Sequence, residues 1–328
     1  MPLTKRARNG NSHYREPPRL RVLLTNGRFP VSLDLARQLY TAGHTVYCID
    51  PMKYHVCKFS VAVAQSRQVP APRDDPEGYI QSVKEWTVKW NIDMIVPIHE
   101  DVFVLAGCDE SEILNRLFAP PFDLLVRLHH KYEFSQLMDA KGFDVPEAYL
   151  CKSMDDVMNL PLNRCPHGMA LKPCFGRACS GVYHLKAGEP LPDDIDIGPH
   201  NHHIAQEWLV GNRFCSYSIV RDGRVEATGL YPVLETIDGS SSVFFQQRFH
   251  GPIYEYINRF VASIPEKWNG QIALDFVETQ DRLVAIEVIH GPRLAYISGP
   301  IPHSSLEQSQ EPSRRMRSNV PFAHRNQS

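Results

Sequence analysis

The chain predicts an α/β plus α+β protein, and three stretches of sequence carry that prediction. Residues 21–98 alternate apolar strands with amphipathic helices. From about residue 125 onward, short strands are separated by glycine and aspartate turns. Near the end, "QIALDFVETQDRLVAIEVIHGPR" at 271–293 reads as two strands that each carry one carboxylate, Asp275 and Glu287.

The first region builds up in order. "RVLLTN" at 21–26 is an apolar strand and "GRFP" a loop. Leu33, Leu35 and Leu39 give residues 31–42 a helical spacing, closed by Gly43. "HTVYCID" is the next strand. Asp75 and Pro76 supply an N-cap and a first-turn proline to a helix over 76–90. "IDMIVPI" at 92–98 is a third buried strand. This succession is the pattern of a doubly wound parallel sheet covered on both faces. Ligands of such sheets sit beyond the carboxyl ends of the strands, here residues 26–28, Asp50 and residues 99–101. Asn26-Gly27-Arg28 is too short for a dinucleotide fingerprint, so no nicotinamide site is read there.

The second region has a different texture. A helix over 131–141 ends at Gly142, and "FDVPEAYL" opens another strand–helix unit. "GMALKPCFGRACSGVYHL" reads as a strand ending in Lys172-Pro173, a small-residue loop and a second strand. Backbone N–H groups of such a loop can close on oxyanions; an ordinary hairpin is the alternative reading. It is not a Walker loop, because no helix follows a G-K-[ST] triplet. "HHIAQEWLVGNRFCSYSIVRDGRV" gives a strand, a turn over 210–213, another strand and an Asp222-Gly223 hairpin turn. A helix over 252–264 leads to the closing hairpin. There, alternation and a three-residue turn at 280–282 set Asp275 opposite Glu287, on one face with Ala273, Val277, Ala285 and Ile289. Like charges directly opposite destabilise a sheet. A Lys or Arg neighbour, a slipped register or a divalent cation would relieve the conflict, and Mg²⁺ is typically held by one or two carboxylates plus substrate phosphates.

Composition narrows the function classes. With 43% apolar residues, 22% charged residues and a formal net charge of −2, the 328-residue chain has a large core and no general electrostatic reason to bind nucleic acid or an anionic membrane. No apolar run approaches a membrane span, and no hydrophobic signal core opens the chain. Cys48, Cys57, Cys108, Cys151, Cys165, Cys174, Cys179 and Cys215 form no C-x-x-C pair and read as reduced thiols of a cytoplasmic protein. "PHNHH" at 199–203 lacks a second ligand cluster at zinc spacing and reads as a polar loop. The basic residues 1–19 and the polar residues 304–328 read as solvated, disordered tails.

In order along the chain, "VPAPRDDPEGYIQ", "HKYEFSQLMDAKGFDVP", "ALKPCFGRACSGV", "AQEWLVGNRFCSYSIVRDGRV" and "GQIALDFVETQDRLVAIE" resemble the motifs of the ATP-grasp superfamily. The resemblance spans roughly residues 20–295. "VPAPRDDPEGY" and the run from Gly211 to Gly223 are similar to its carbamoyl-phosphate-synthetase-like branch, and most of all to mycosporine-glycine synthase-like ligases of secondary metabolism. It implies a Rossmann-like domain at 20–125, a small ATP-grasp lobe with a phosphate loop at 126–200, and a C-terminal lobe with the metal hairpin at 201–303, with no further domain.

The resemblance also implies roles. Lys131 matches the base of the ATP site and Lys172 the lysine on the α/β-phosphates. Gly176, Ser180 and Gly181 match the loop that closes over the phosphates. Gln206, Glu207, Trp208 and Leu209 match the strand that meets adenine through its backbone, with ribose met by nearby side chains. Asp275 and Glu287 match the two acids that grip Mg²⁺, with Mn²⁺ as an alternative ion. The implied reaction uses ATP to phosphorylate an acceptor oxygen, which an amine or amino acid then displaces; no nucleophilic Ser or Cys is required. The implied partners are a small-molecule acceptor and an amino acid, with no nucleic acid and no membrane, and a homodimer is left open. His99, Glu100 and Asp101 are acceptor-side candidates, Asp101 doubling as a helix-cap residue.

Three departures stand against the family pattern. Relatives close the last strand with Glu-x-Asn-Pro-Arg, whereas this chain reads "EVIHGPR": Ile289 replaces Asn, and Arg293, the candidate phosphate contact, arrives two residues late. Arg213 occupies the position of a ribose-binding acid, so it enters the candidate site with reversed charge. The chain also ends soon after the motif. A non-catalytic scaffold relative, or a small-metabolite kinase, are therefore the competing expectations.

Overall fold

The computed structural model describes residues 18–176, 181–237, 241–242 and 246–289. It opens with β1 (Arg21–Leu24), α1 (Pro30–Thr41), β2 (Thr45–Asp50), β3 (Val63–Gln68), α2 (Pro76–Lys89) and β4 (Met94–Val96). The four strands pair in parallel in the order β3-β2-β1-β4. Period-two alternation sends Val22, Leu24, Val46 and Cys48 to one face, against Val31 and Ala36 of α1. Leu23, Tyr47, Ile49 and Ile95 go to the other, against Tyr79 and Val83 of α2. The sheet is covered on both sides, as the strand–helix alternation predicts. Asp75 caps α2 by accepting from Gly78 N at 2.8 Å.

β3 was not foreseen. Its sequence, VAQSRQ, has no apolar period, and it pairs only with β2. An edge strand with exposed faces needs no apolar alternation, which is why pattern reading misses it.

Four helices follow: α3 (Asp101–Ala106), α4 (Ser111–Leu114), α5 (Phe122–His129) and α6 (Lys131–Ala140). α6 begins at the expected residue, with His130 Nδ1 accepting from Glu133 N at 3.2 Å, and Gly142 follows at φ 73°. Next come β5 (Ala148–Cys151), α7 (Met154–Met158), β6 (Met169–Pro173), β7 (Tyr183–Leu185) and β8 (His203–Glu207). Their antiparallel order is β5-β8-β6-β7.

β9 (Asn212–Arg221) and β10 (Arg224–Pro232) form the predicted hairpin, with Asp222 at φ 50° and Gly223 at φ 71°. Two central residues with positive φ match the strand twist, which explains the Asp-Gly pair. After the short ladder β11 (Thr236–Ile237) and β12 (Ser241–Ser242) comes α8 (Gly251–Ser263), then β13 (Gly270–Glu278) and β14 (Leu283–Ile289). The last four-stranded sheet runs β10-β9-β13-β14. Phe260, Ile257 and Ile253 of α8 bury against Phe276, Leu274 and Ile272 of β13 and Phe134 of α6. Truncating a buried phenylalanine in such a core costs roughly 3–5 kcal/mol.

The closing hairpin departs from expectation in one instructive way. The turn holds four residues, Thr279 to Arg282, not three, so Glu278 pairs with Leu283. Uncorrected, that register would set Ile286 opposite Asp275. A β-bulge between Ala285 and Glu287 adds one residue to β14 and restores Asp275↔Glu287. The expected pairing is present, but Ala285 is not on its face: it pairs with Phe276 and joins the core. Val284, opposite Val277, takes the place predicted for Ala285.

Gln271 joins the first sheet to the last. Its Nε2 donates to Pro97 O at 2.9 Å, just past β4, and its Oε1 accepts from Tyr217 OH at 2.5 Å.

Candidate functional site

On β6, Met169 and Leu171 are fully buried in the lobe core, so alternation turns Ala170 and Lys172 to the opposite face. Ala170 pairs with Gln206 on β8, which sets Gln206 beside them. On the last sheet Arg213 pairs with Val277 across β9 and β13. Lys131 enters from the first residue of α6. These elements enclose a cavity of about 210 Å³ lined by Lys131, Ala170, Lys172, Pro173, Gly176, Val182, Gln206, Glu207, Trp208, Leu209, Arg213, Val277, Ile286 and Glu287.

Lys131 ties the walls together. Its amide donates to Cys174 O at 3.1 Å, its Nζ donates to Gly176 O at 2.7 Å, and the same Nζ lies 3.7 Å from Glu287 Oε2. The ammonium thus spans the loop after β6 and the acid on β14. Lys172 is only 8% exposed. A buried ammonium needs negative charge near it, and both lysines act on Glu287.

Glu287 is 24% exposed, into the cavity. Its carboxyl is held above the usual range, first by burial and then by Asp275 directly across the strand pair; Lys172 and Lys131 pull it back in part. Asp275 pairs with Glu287 without lining the cavity.

Glu207 has a second role that pattern reading does not reveal. Its Oε1 accepts from Arg282 Nη2 at 2.6 Å and its Oε2 from Glu147 N at 3.3 Å, while its own amide donates to Glu147 O at 2.7 Å. The side chain ties the end of β8 to the turn before β14 and to the residue before β5, and leaves its backbone at the cavity wall. Trp208 stacks on His184 with ring centroids 3.8 Å apart. Arg282 sits in a turn, where a lone charge reads as solvated, so only the fold reveals the clamp.

The structure therefore gathers nine of the residues singled out from sequence on one cavity: Lys131, Lys172, Gly176, Gln206, Glu207, Trp208, Leu209, Arg213 and Glu287. Asp275 adjoins it. Gly181, at φ 66°, lies beside the lining residue Val182 without lining the cavity itself. Ser180 and Arg293 lie outside the described residues, as does most of the 176–181 loop. The apolar walls Ala170, Val182, Val277 and Ile286 were missed, since nothing separates them in sequence from core residues.

A second polar cluster lies beyond β1, β2 and β4. Asp101 is buried and accepts from Asn26 Nδ2 at 2.7 Å, Tyr79 OH at 2.9 Å and His99 N at 3.2 Å; burial pushes its carboxyl up to about 6. It holds the loop rather than facing a ligand. Arg28 is tied to Asp50 through its amide at 2.9 Å and Nη1 at 3.4 Å. His99 stacks on Phe29 at 5.1 Å. His129, unmarked by sequence reading, has its imidazole pushed down to about 4 by burial and then by Lys131.

No family model and no curated protein matches the chain. Solved structures do. The chain superposes on an L-amino acid ligase from Bacillus licheniformis over 83% of its own length and 66% of that chain, with TM-score 0.61 and 15% identity. On N5-carboxyaminoimidazole synthetase from Staphylococcus aureus, complexed with ADP, the values are 84%, 71%, 0.64 and 15%. The chain shares its fold with both. A third solved structure, the biotin carboxylase domain of Hydrogenobacter thermophilus 2-oxoglutarate carboxylase with MgADP and bicarbonate, matches over 85% of this chain and 66% of its own, with TM-score 0.62 and 10% identity. The chain spans about two thirds of the length of the first and third. Among the described residues no helix is long and apolar enough to cross a membrane.

Proposed function

We propose that the chain is an ATP-dependent ligase that joins a phosphoryl-activated small-molecule acceptor to an amine or amino acid through a C–N bond. The observation that carries this reading is the convergence of Lys131, Lys172, residues 206–209 and Glu287 on one cavity. ATP would supply the phosphoryl group that activates an acceptor oxygen. Lys172 and Lys131 would neutralise phosphate charge, and catalysis would rest on positioning and electrostatics. The backbone at Glu207 to Leu209, with Trp208 fixed by His184, would receive adenine against Ala170, Val277 and Ile286.

The donor set fits a hard divalent cation. Two carboxylates stand side by side on paired strands, and the repulsion that raises the Glu287 carboxyl is what Mg²⁺ would relieve. In this reading residues 20–125 form a Rossmann-like acceptor domain, 126–200 the small lobe and 201–303 the C-terminal lobe. The acceptor would lie between the first and last sheets, near His99 and Glu100. The finer reading is a mycosporine-glycine synthase-like enzyme, cytoplasmic, that takes an enol-type acceptor and an amino acid.

One observation favours a second reading. Ile289 lies within β14, paired with Ala273, at the position where the resemblance places an oxygen donor. An apolar side chain cannot ligate Mg²⁺, so a relative that binds ATP without turning it over is the alternative. ADP formation, assayed with pooled carboxylate and enol acceptors and proteinogenic amino acids and followed by mass spectrometry of products, separates the two. The ligase reading expects ADP only when acceptor is present and a product whose mass equals the condensed pair. Tight ATP binding with no ADP in any pool supports the scaffold; no ATP binding at all refutes both.

A further inference from the structure

We propose that Cys48, His55 and Cys57 form a buried binding site for a zinc-type ion, pinning the connection between β2 and β3 against Gly27. Cys48 Sγ, Cys57 Sγ and a ring nitrogen of His55 all lie within 4.8 Å of one another. Cys48 and Cys57 are fully buried, and His55 is 6% exposed. Three donors can share one ion only at such mutual distances, because Zn–S and Zn–N bonds are about 2.3 and 2.0–2.1 Å.

His55 supplies the independent observation. Its Nδ1 is buried and has no hydrogen-bond partner among the described residues. The Gly27 carbonyl acts on the ring as an acceptor, but it already takes the Cys57 amide at 3.2 Å and forms no hydrogen bond of good geometry with Nδ1. A buried polar nitrogen without a partner is destabilising, and a metal bond would repair that. Gly27 makes the convergence possible: a Cβ there would stand 2.4 Å from Cys48 Sγ and 2.5 Å from His55 Nδ1. Any other residue would push the donors apart.

The donors choose the ion. Two thiolates and an imidazole are borderline-soft and suit Zn²⁺, whereas Mg²⁺ prefers oxygen. Three protein ligands leave the fourth position to water. Asp50 stands close by, but its oxygens already accept from Arg28 N at 2.9 Å and Met52 N at 2.6 Å, so it orients the neighbourhood without ligating. The pinned connection is otherwise poorly anchored: Met52, Tyr54, Val56 and Phe59 are all exposed, at 51%, 62%, 44% and 74%.

The test uses the full chain, purified with reductant, stripped by a chelator and titrated with Co²⁺. The proposal expects saturation at one equivalent. It also expects a thiolate-to-cobalt charge-transfer band, tetrahedral d–d bands, and loss of both on adding Zn²⁺. Cys57→Ser and His55→Ala should each weaken the cobalt spectrum at least tenfold, while Cys215→Ser, far from the cluster, leaves it intact. Because a core variant can fail to fold, thiol titration of the wild type runs in parallel: stoichiometric Zn²⁺ should protect two thiols, identified by peptide mapping as Cys48 and Cys57. A folded, reduced wild type with no charge-transfer band overturns the proposal. So does a Cys48–Cys57 disulfide that forms in air at the same rate with and without Zn²⁺.

Discussion

Asp101 and Glu287 both hold their carboxyls above the usual range, and the sign of the effect on stability is the same for each. A folded-state pKa raised above the unfolded value contributes stability that is complete below the unfolded pKa and is lost as pH rises through the folded one. For Asp101 that window runs from 3.8 to about 6, and at about 1.4 kcal/mol per unit it is worth about 3 kcal/mol. Asp101→Asn should therefore flatten the pH dependence of urea unfolding across that window relative to wild type; parallel curves would show that the carboxyl is not buried as described. Glu287 answers to Asp275 as well as to burial. Asp275→Asn should raise the melting temperature of the ligand-free protein and lower the Glu287 pKa, while abolishing any gain from Mg²⁺. Lys172→Ala should remove ATP-dependent stabilisation and leave the far-ultraviolet circular dichroism unchanged, because the ammonium faces the cavity and the strand's packing is carried by Leu171 and Met169. Melting of Lys172→Ala with ATP binding preserved would make the residue structural.

At the scale of elements, the closing hairpin shows what sequence reveals and what it hides. Alternation and the two acids disclosed the strands and the Asp275–Glu287 pairing. The four-residue turn and the bulge did not show, because their register shifts cancel at that pair. Leu283, Val284 and Ala285, between the turn and the bulge, record them: Leu283 and Ala285 cross to the core face and Val284 to the other. A one-residue slip flips every side chain, so the bulge is what keeps Glu287 toward the cavity and Ala285 in the core. α2, α6 and the Asp222-Gly223 turn were legible because each has a cap or a turn residue whose chemistry is local. β3 and α5 were not, since their stability comes from neighbours. Gly211, between the 206–209 strand and β9, is a close-approach position: a Cβ would lie 2.1 Å from Glu278 O. Gly211→Ala should destabilise the chain by about 1–3 kcal/mol, as overpacking does, and should weaken ATP binding more than Gly198→Ala, where the backbone is ordinary and the space is open. Equal effects of the two on ATP affinity would detach that turn from the site.

Across the whole molecule, the candidate site is assembled from residues far apart in the chain, so sequence named its members but not its walls. Motif order identified Lys131, Lys172 and the two acids; the clamp of Arg282 on Glu207 and the apolar slot exist only once β6, β8, β13 and β14 are brought together. Gln271 holds the first sheet to the last, and Gln271→Ala removes its hydrogen bonds to Pro97 O and from the Tyr217 hydroxyl. A loss of about 1–3 kcal/mol is expected in chemical unfolding; an unchanged midpoint would mean the two sheets do not depend on that link. The central claim is that Lys131, Lys172, Asp275 and Glu287 form one nucleotide and cation site. The most direct test is a thermal melt of the wild type with ATP and Mg²⁺ together, with each alone, and in parallel with Asp275→Asn. A ligand at a hundredfold excess over its Kd stabilises the native state by about 2.7 kcal/mol. The account predicts a shift of several degrees for the wild type with both ligands, a smaller one with either alone, and for Asp275→Asn with both ligands no more than ATP alone gives. A wild type whose melting temperature is unmoved by ATP and Mg²⁺ together would contradict it.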